Sequence, residues 1–225
     1  MSFADKKLSE IAISIPGSTA LLREYDLDFC CGGADTLGAA VAEKNLNLAE
    51  IEARLTELQE SKQQDDEQRW LTAPYAEIID HIIHRYHERH RAQLQELIVL
   101  AERVESVHGD RDDCPVGVAA ELHNVYADLS SHMMKEEQIL FPMIKMGNYV
   151  MARMPIQVME HEHAEHGEHL EVLKALTNNL TPPADACNTW RALYSGIKEF
   201  MDDLMMHIHT ENNILFPRVI EEGSR

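Results

Sequence analysis

Histidine and glutamate recur four residues apart in a segment that this chain contains twice. Residues 129–142 read LSSHMMKEEQILFP, and residues 204–217 read LMMHIHTENNILFP. The repeated pairs are His132 with Glu136 and His207 with Glu211. Positions four apart lie on one face of an α-helix, one turn from each other. Two such helices facing each other would direct two imidazoles and two carboxylates at a shared interior, which predicts a dinuclear metal site.

The composition excludes several classes of partner. The net charge of −19 argues against nucleic acids and anionic membranes, because both repel an acidic surface. No apolar stretch approaches the roughly 20 residues of a membrane span, and the N-terminus lacks the apolar core of a signal peptide. The four cysteines form neither a disulfide framework nor a Cys-x-x-Cys zinc pattern, which fits a reducing compartment. We therefore expect a cytoplasmic protein without nucleic-acid or membrane partners.

The pattern of apolar residues predicts an all-α protein. Residues 1–60 are expected to form a small helical N-terminal domain that contains a Cys-Cys-Gly-Gly turn, and the polar residues 61–73 to form a linker. Residues 74–225 carry four long helical patterns, at about 74–106, 117–140, 155–176 and 185–215, the third beginning at Pro155. Four long helices with modest connections favour an up-down-up-down four-helix bundle.

Each long helix offers at least one histidine to the interior. With residues placed at 100° intervals, both His-x-x-x-Glu pairs fall on the apolar stripes of their helices, as does His163 on the third. On the first helix His87 and His90 both lie near the stripe, and phase alone makes His90 slightly more central. Five histidines fall off the stripes and are expected at the surface or behind the ligands: His81, His84, His161, His169 and His209.

The spacing indicates two equivalent halves. His87 precedes His132 by 45 residues, and His163 precedes His207 by 44, so each helix pair contributes one lone histidine and one His-x-x-x-Glu. A single core-facing histidine is usually structural. Burying this whole set without an ion would cost several kcal/mol per group. Imidazole and carboxylate ligands suit iron, manganese or zinc, and we expect Glu136 to be one of the two bridging carboxylates.

Five stretches together give the chain a specific resemblance. They are IPGSTALLREYDLDFCCGG (15–33), IIDHIIHRYHERHR (78–91), LSSHMMKEEQILFPMIK (129–145), VMEHEH (158–163) and DDLMMHIHTENNILFP (202–217). With them the chain resembles the hemerythrin-like di-iron proteins that repair iron–sulfur clusters, the repair-of-iron-centres (RIC) type also called YtfE or ScdA. The resemblance covers essentially the whole chain and implies a hemerythrin-like bundle.

The resemblance also implies a cofactor and its ligands. It implies two non-heme iron ions, bridged by an oxo group and by carboxylates, and it selects His87 over His90. The implied ligands are His87, His132, His163 and His207, with Glu136 and Glu211 as the bridges. Cys30 and Cys31 match the cysteine pair of the family and become the candidate delivery or redox pair.

The function implied is repair of iron–sulfur proteins damaged by nitrosative and oxidative stress, by supply of iron. The implied partners are those damaged proteins, with NO or O2 as small ligands. Oxygen-carrying hemerythrins have a second histidine four residues from the one on the third helix, whereas Met159 and Gly167 flank His163 here. Fewer ligands leave the irons more open, which suits repair or NO chemistry better than oxygen storage.

Two alternatives remain open at this stage. One is a sensor or store that binds O2 or NO without turnover, and the other is an oxidoreductase that reduces NO. All three functions use the same metal site, so the sequence leaves open whether the protein is an enzyme. Homodimerisation through the N-terminal domain is compatible with the sequence, although no motif points to it.

Overall fold

The computed structural model describes residues 2–61 and 66–225. In this part of the chain the regular structure is helical, with eight helices and no strand. The predicted all-α fold is confirmed. Among the described residues, none of the helices combines the length and the apolar character that crossing a membrane requires.

Four short helices make up the N-terminal unit. They are α1 (Leu8–Ser14), α2 (Ser18–Glu24), α3 (Leu37–Glu43) and α4 (Leu48–Glu60). The side chains of Thr36 and Asn47 cap α3 and α4 by accepting hydrogen bonds from backbone N–H groups of the first turn. The turn that carries the two cysteines connects α2 to α3.

The second half of the predicted linker packs on the rest of the molecule and is hydrogen-bonded to it. Of the predicted linker 61–73, residues 62–65 lie outside the described residues, and Asp66–Leu71 form a 3-10 turn. Trp70 is buried, and the guanidinium of Arg218 donates to the carbonyl oxygens of Trp70 and Ala73, both at 2.9 Å. The boundaries of the domains remain a prediction.

Four long helices form the bundle, and three of them contain a π-helical turn. Helix α5 comprises Tyr75–His81, the π-turn Ile82–His87 and Glu88–His108; α6 comprises Val118–Lys135, the π-turn Glu136–Leu140 and Phe141–Lys145; α7 is Tyr149–Leu176; and α8 comprises Asn188–His209, the π-turn Thr210–Leu215 and Phe216–Glu222. Helix α5 packs on α6 and α8, and α7 packs on α6 and α8. This is the predicted up-down-up-down arrangement.

Two of the π-turns follow from the repeated Leu-Phe-Pro. Pro142 and Pro217 stand just after the π-turns of α6 and α8. In a regular α-helix each ring would clash with the carbonyl four residues earlier, which also loses its N–H donor. A wider turn, with bonds to the fifth residue, relieves this conflict. The duplicated sequence therefore gives the same local widening on both helices that carry a glutamate.

Three predicted helix boundaries were wrong, since the second and fourth bundle helices continue past 140 and 215 to Lys145 and Glu222, and the start of the third differs as well. The third bundle helix begins at Tyr149, and Pro155 lies inside it instead of at its start. The missing N–H of Pro155 leaves the carbonyl of Met151 without its usual donor. Met151 is 69% exposed, so this carbonyl lies on the solvent side of the helix, where water can donate to it. The proline therefore does not end the helix.

A polar layer separates two apolar clusters of the interior. One cluster joins the N-terminal unit to the nearer end of the bundle, through residues such as Phe141 and Phe216. The other fills the far end around Trp190 and Leu193. Along every bundle helix the buried histidines lie between these clusters. Packing in the two apolar clusters thus fixes the relative positions of the helices on both sides of the polar layer.

We expect Leu193→Ala to lower the free energy of unfolding by about 2–5 kcal/mol, because Leu193 is fully buried in the far cluster and its truncation leaves a cavity. Val99→Ala is the control, since Val99 is 63% exposed and should change stability by less than about 0.5 kcal/mol. Denaturant unfolding followed by circular dichroism measures both. Equal losses would contradict the assigned packing.

Candidate metal centre

Six buried side chains meet in the polar layer. They are His87, His132, Glu136, His163, His207 and Glu211, and each is at most 1% exposed. Helices α5 and α7 give one histidine each, while α6 and α8 give a histidine and a glutamate each. All six residues singled out from the sequence are therefore brought to one place, in two groups of four ligand atoms.

The first group joins α5 to α8. The Nε2 atoms of His87 and His207 lie 3.1 Å apart. His87 Nε2 lies 3.3 Å from Oε2 of Glu136, and His207 Nε2 lies 3.3 Å from Oε1 of Glu211. Two imidazoles and one oxygen from each glutamate thus converge on one point.

The second group joins α6 to α7 and uses the other oxygens of the same glutamates. The Nε2 atoms of His132 and His163 lie 3.1 Å apart. His132 Nε2 lies 3.4 Å from Oε1 of Glu136, and His163 Nε2 lies 3.1 Å from Oε2 of Glu211. Each carboxylate therefore faces both groups, as a bridge between two metal ions requires.

The spacing of these atoms fits metal ligands. Two atoms that each lie about 2.1 Å from one ion are about 3.0–3.4 Å apart at octahedral or tetrahedral angles. Within the described residues, none of the four oxygens of Glu136 and Glu211 has a hydrogen-bond partner, although all are buried. A buried carboxylate without a partner is costly, and a bound cation would satisfy it. Nitrogen and carboxylate ligands of this kind suit iron.

Nearby carboxylates raise the pKa of two imidazoles in the layer. Burial lowers the pKa of the His87 and His132 imidazoles, but nearby carboxylates outweigh it. Glu136 with Glu137 raises the pKa of His87 to about 9, and Glu136 with Glu162 raises that of His132 to about 10. Because metal ions bind neutral imidazole, loading of this centre releases protons.

Burial and a nearby charge also determine the pKa of the Glu211 carboxyl. Burial, followed by the charge of Glu136, raises the pKa of the Glu211 carboxyl to about 7. Two carboxylates in one dry layer therefore repel each other unless protons or cations lie between them. A divalent cation removes this repulsion.

Three outer residues that sequence reasoning missed orient the histidines. They are Glu137, Glu162 and Asn212, whose side-chain oxygens lie 2.8, 2.9 and 2.8 Å from the Nδ1 atoms of His87, His132 and His163. An Nδ1–H that donates outward leaves the Nε2 lone pair directed at the centre. Among the described residues, Nδ1 of His207 has no such partner. A signal was present, because Glu137 and Asn212 each directly follow the glutamate of the repeated segment.

The remaining histidines divide into surface and buried positions. His84 and His161 lie at the surface, as expected. The predicted position of His209, at the surface or behind the ligands, was wrong: His209 is 2% exposed, and its Nδ1 atom lies 2.8 Å from Nδ2 of Asn213. His90 and His166 are also buried, and both are neutral. Burial, with the charges of nearby histidines, lowers the pKa of His166 to about 2 and that of His90 well below its usual range.

The Cys-Cys-Gly-Gly turn is organised by Asp28. One carboxylate oxygen of Asp28 accepts from the backbone N–H groups of Cys30 and Cys31, both at 2.9 Å, and the other accepts from that of Gly32 at 2.9 Å. The two sulfur atoms lie 3.7 Å apart as free thiols. The hydrogen bond with Cys31, followed by burial, raises the pKa of the Cys30 thiol well above its usual range. The resting Cys30 thiol is therefore protonated.

This turn docks directly on the second metal group. The Cys31 thiol donates to the carbonyl oxygen of His163 at 3.3 Å. Asn212 donates through Nδ2 to the carbonyl oxygen of Cys30 at 3.1 Å, while its oxygen accepts from His163. Asn213 donates to the carbonyl oxygen of Phe29 at 2.8 Å. The predicted cysteine pair and the predicted ligand His163 are thus linked through a single side chain.

A cavity of about 800 Å³ opens beside the cysteines. Its walls include both cysteines of the turn, Gly167 of α7 and Met201 of α8, with charged side chains such as Lys174 towards the outside. The cavity is lined mainly by apolar surface and extends to the cysteine turn.

Comparisons with known proteins agree with this architecture. Residues 78–219 match the model of the hemerythrin HHE cation-binding domain, and residues 4–59 match ScdA_N, a domain of unknown function. A "probable iron-sulfur cluster repair protein" of Haemophilus influenzae is 69% identical over 222 residues, which cover 99% of this chain and all of that protein. "Iron-sulfur cluster repair protein YtfE" of Citrobacter koseri is 58% identical, and that of Musicola paradisiaca is 57% identical, over 98% of this chain. The two alignments cover 99% of the Citrobacter koseri protein and 98% of the Musicola paradisiaca protein.

We expect Glu162→Gln to lower metal affinity about 10–100-fold, because a neutral amide supports the His132 imidazole less strongly than a carboxylate does. Glu165→Gln is the matched control on the same helix, since Glu165 is exposed and its one ion pair among the described residues is with the surface residue His161. Competition with a coloured chelator measures the affinity. Equal affinities of the two variants would show that Glu162 does not support the centre.

Proposed function

We infer the function from one premise: the chain belongs to the hemerythrin-like family of iron–sulfur cluster repair proteins. Its matches to relatives of that name extend over 98–99% of the chain at 57–69% identity. Repair of iron–sulfur clusters is therefore the function of this chain, and iron–sulfur proteins are its targets. Damage by nitrosative and oxidative stress is the condition in which we propose that it acts.

We propose that the polar layer holds two non-heme irons. His87 and His207 would hold one iron, His132 and His163 would hold the other, and the two glutamates would bridge them. The observation that carries this proposal is the division of each carboxylate between the two groups, with all four oxygens lacking hydrogen bonds within residues 2–61 and 66–225. When bound, such a centre supplies iron, or an open metal position for a diatomic ligand.

Supply of iron to the damaged cluster is the mechanism that we propose. Each group offers two imidazole nitrogens and two carboxylate oxygens, fewer ligands than an octahedral iron needs. His207 has no outer partner in the described part of the chain, so its orientation is held less firmly than that of His87. Both features favour a centre that gives up iron under mild competition.

The cysteine pair is the proposed exit for the iron. Cys31 lies against the backbone of His163, and both cysteines face the cavity. Thiols bind iron as thiolates, so the passage of iron through Cys30 and Cys31 releases their protons. Two sulfur atoms 3.7 Å apart are spaced as two ligands of one tetrahedral ion would be, with bonds of about 2.3 Å.

Nitric oxide chemistry is the second candidate. The apolar interior of the cavity favours it, because NO enters apolar spaces readily, and a metal with unfilled positions would bind it. Binding without turnover would make the protein a sensor, while consumption of NO with electrons would make it a reductase. Both would proceed within the bundle without any need for the cysteines.

Anaerobically purified protein should contain close to two irons per chain and show the absorption of a bridged di-iron centre. The variant Glu136→Gln/Glu211→Gln should lose both irons, because each carboxylate serves both groups. Glu168→Gln, at the rim of the cavity, should retain them. Metal analysis and optical spectra measure this. Zinc, or no stoichiometric metal, in the unchanged protein would refute the di-iron centre.

Cys30→Ser/Cys31→Ser should slow the repair of an iron–sulfur protein damaged by nitric oxide at least about ten-fold, because serine oxygen binds iron far more weakly than thiolate does. Iron content and NO binding should not change. Cys114→Ser/Cys187→Ser is the matched control, since these cysteines lie just before the starts of α6 and α8, at the ends of those helices remote from their π-turns. Repair at the original rate in the first variant would favour the NO function over iron delivery.

A further inference from the structure

Two buried histidines, His90 and His166, are not part of the two metal groups. His90 is 0% exposed and His166 is 4% exposed. In the described ranges 2–61 and 66–225, neither ring nitrogen of His90 has a hydrogen-bond partner, and Nε2 of His166 has none. Buried polar atoms nearly always have a partner, so both residues need an explanation.

The two histidines occupy equivalent places in the two halves of the bundle. His90 lies three residues after His87 on α5, and His166 lies three residues after His163 on α7. Three residues along a helix lead to nearly the same face, one turn further on. Because α5 and α7 run in the same direction, both histidines lie on one side of the metal layer, towards the far apolar cluster.

Each of these histidines contacts an imidazole that a neighbouring helix contributes to the centre. The ring centroids of His90 and His207 are 5.4 Å apart. Those of His166 and His132 are 4.9 Å apart, in an edge-to-face arrangement. His90 therefore adjoins the first metal group, and His166 adjoins the second.

Packing alone does not explain why histidine occupies these positions. His90 packs on the rings of Tyr86 and Phe200, at centroid distances of 6.2 and 5.4 Å, where an apolar ring would fit as well. A buried polar atom without a partner destabilises the folded state, and phenylalanine would avoid that cost.

We propose that His90 and His166 are reserve metal ligands, each able to bond the iron of the adjoining group when that group loses an imidazole or a carboxylate oxygen. This inference rests on the di-iron centre of the proposed function. Neither histidine belongs to the sets of ligand atoms that lie within 4.8 Å of one another, so its ring must turn towards the centre.

Replacement of an iron ligand by a reserve histidine needs no further reactant. Each ring would bind through the lone pair of a nitrogen that carries no proton. The bond from the iron to the departing ligand would break as the bond to the reserve nitrogen formed, and the oxidation state of the iron would not change. His90 and His166 would thereby let iron leave in steps, with a ligand in place at each step.

The test removes one predicted iron ligand and measures whether the adjoining reserve histidine replaces it. His207→Ala empties the space beside His90, so this variant should bind Fe²⁺ with only a modest loss of affinity. Adding His90→Phe should then lower the affinity by a further factor of about ten or more, whereas His90→Phe alone should change it less than about three-fold. Chelator competition and metal analysis under anaerobic conditions measure both values.

The two halves of the bundle provide the matched control. His166 adjoins the other metal group, so His207→Ala/His166→Phe should bind Fe²⁺ as His207→Ala does. In the other half of the bundle, adding His166→Phe to His132→Ala should cause a large further loss of Fe²⁺ affinity. Circular dichroism checks that each variant folds, and leucine replaces phenylalanine where it does not.

Two results would overturn the inference in different ways. If His90→Phe adds no loss to His207→Ala, or adds no more than His166→Phe does, the reserve role is wrong while the di-iron centre stands. If the unchanged chain binds no stoichiometric iron, the centre and the reserve role are both wrong.

Discussion

The repulsion between two carboxylates buried in one dry layer is the constraint on which the rest of the structure depends. Glu136 and Glu211 are fully buried, and none of their oxygens has a hydrogen-bond partner within the described residues. Such a pair is tolerable only with positive charge between them, and the surrounding imidazoles direct their lone pairs to hold a cation there. Apolar clusters on both sides exclude water and keep the four helices in register. Metal binding and stability of the bundle are therefore linked.

The two metal groups are equivalent in their ligands but differ in what supports those ligands. In each group one histidine, His87 or His132, is supported by a carboxylate. The other two histidines come from the second half of the chain, where His163 has only an amide behind it and His207 has no outer partner in the described part of the chain. Carboxylate support makes imidazole a stronger donor. The N-terminal turn docks on the half whose ligands are held less firmly.

The sequence predicted some ligands of this arrangement and not others, and local helix geometry made the difference. The His-x-x-x-Glu pairs were predictable because each histidine lies on a regular segment and the glutamate follows within one turn. The choice between His87 and His90 was not, because the π-turn Ile82–His87 inserts about one residue and shifts every later phase by about 100°. No proline marks that turn. The outer partners Glu137 and Glu162 were missed because, in so acidic a chain, two more glutamates look like solvated surface residues.

The docking of the N-terminal unit could not be read from either domain alone, since it depends on two asparagines that look like ordinary polar helix residues. Asn212 uses both ends of its amide, one for the ligand His163 and the other for the backbone of Cys30. Movement of the cysteine turn away from the bundle would break this bond and the contact between Cys31 and the His163 carbonyl. The orientation of His163 and the position of the cysteines are therefore not independent. Under the proposed delivery of iron, a target that displaces the turn also disturbs the support of a predicted metal ligand, so contact with the target and loosening of the iron would be one physical event.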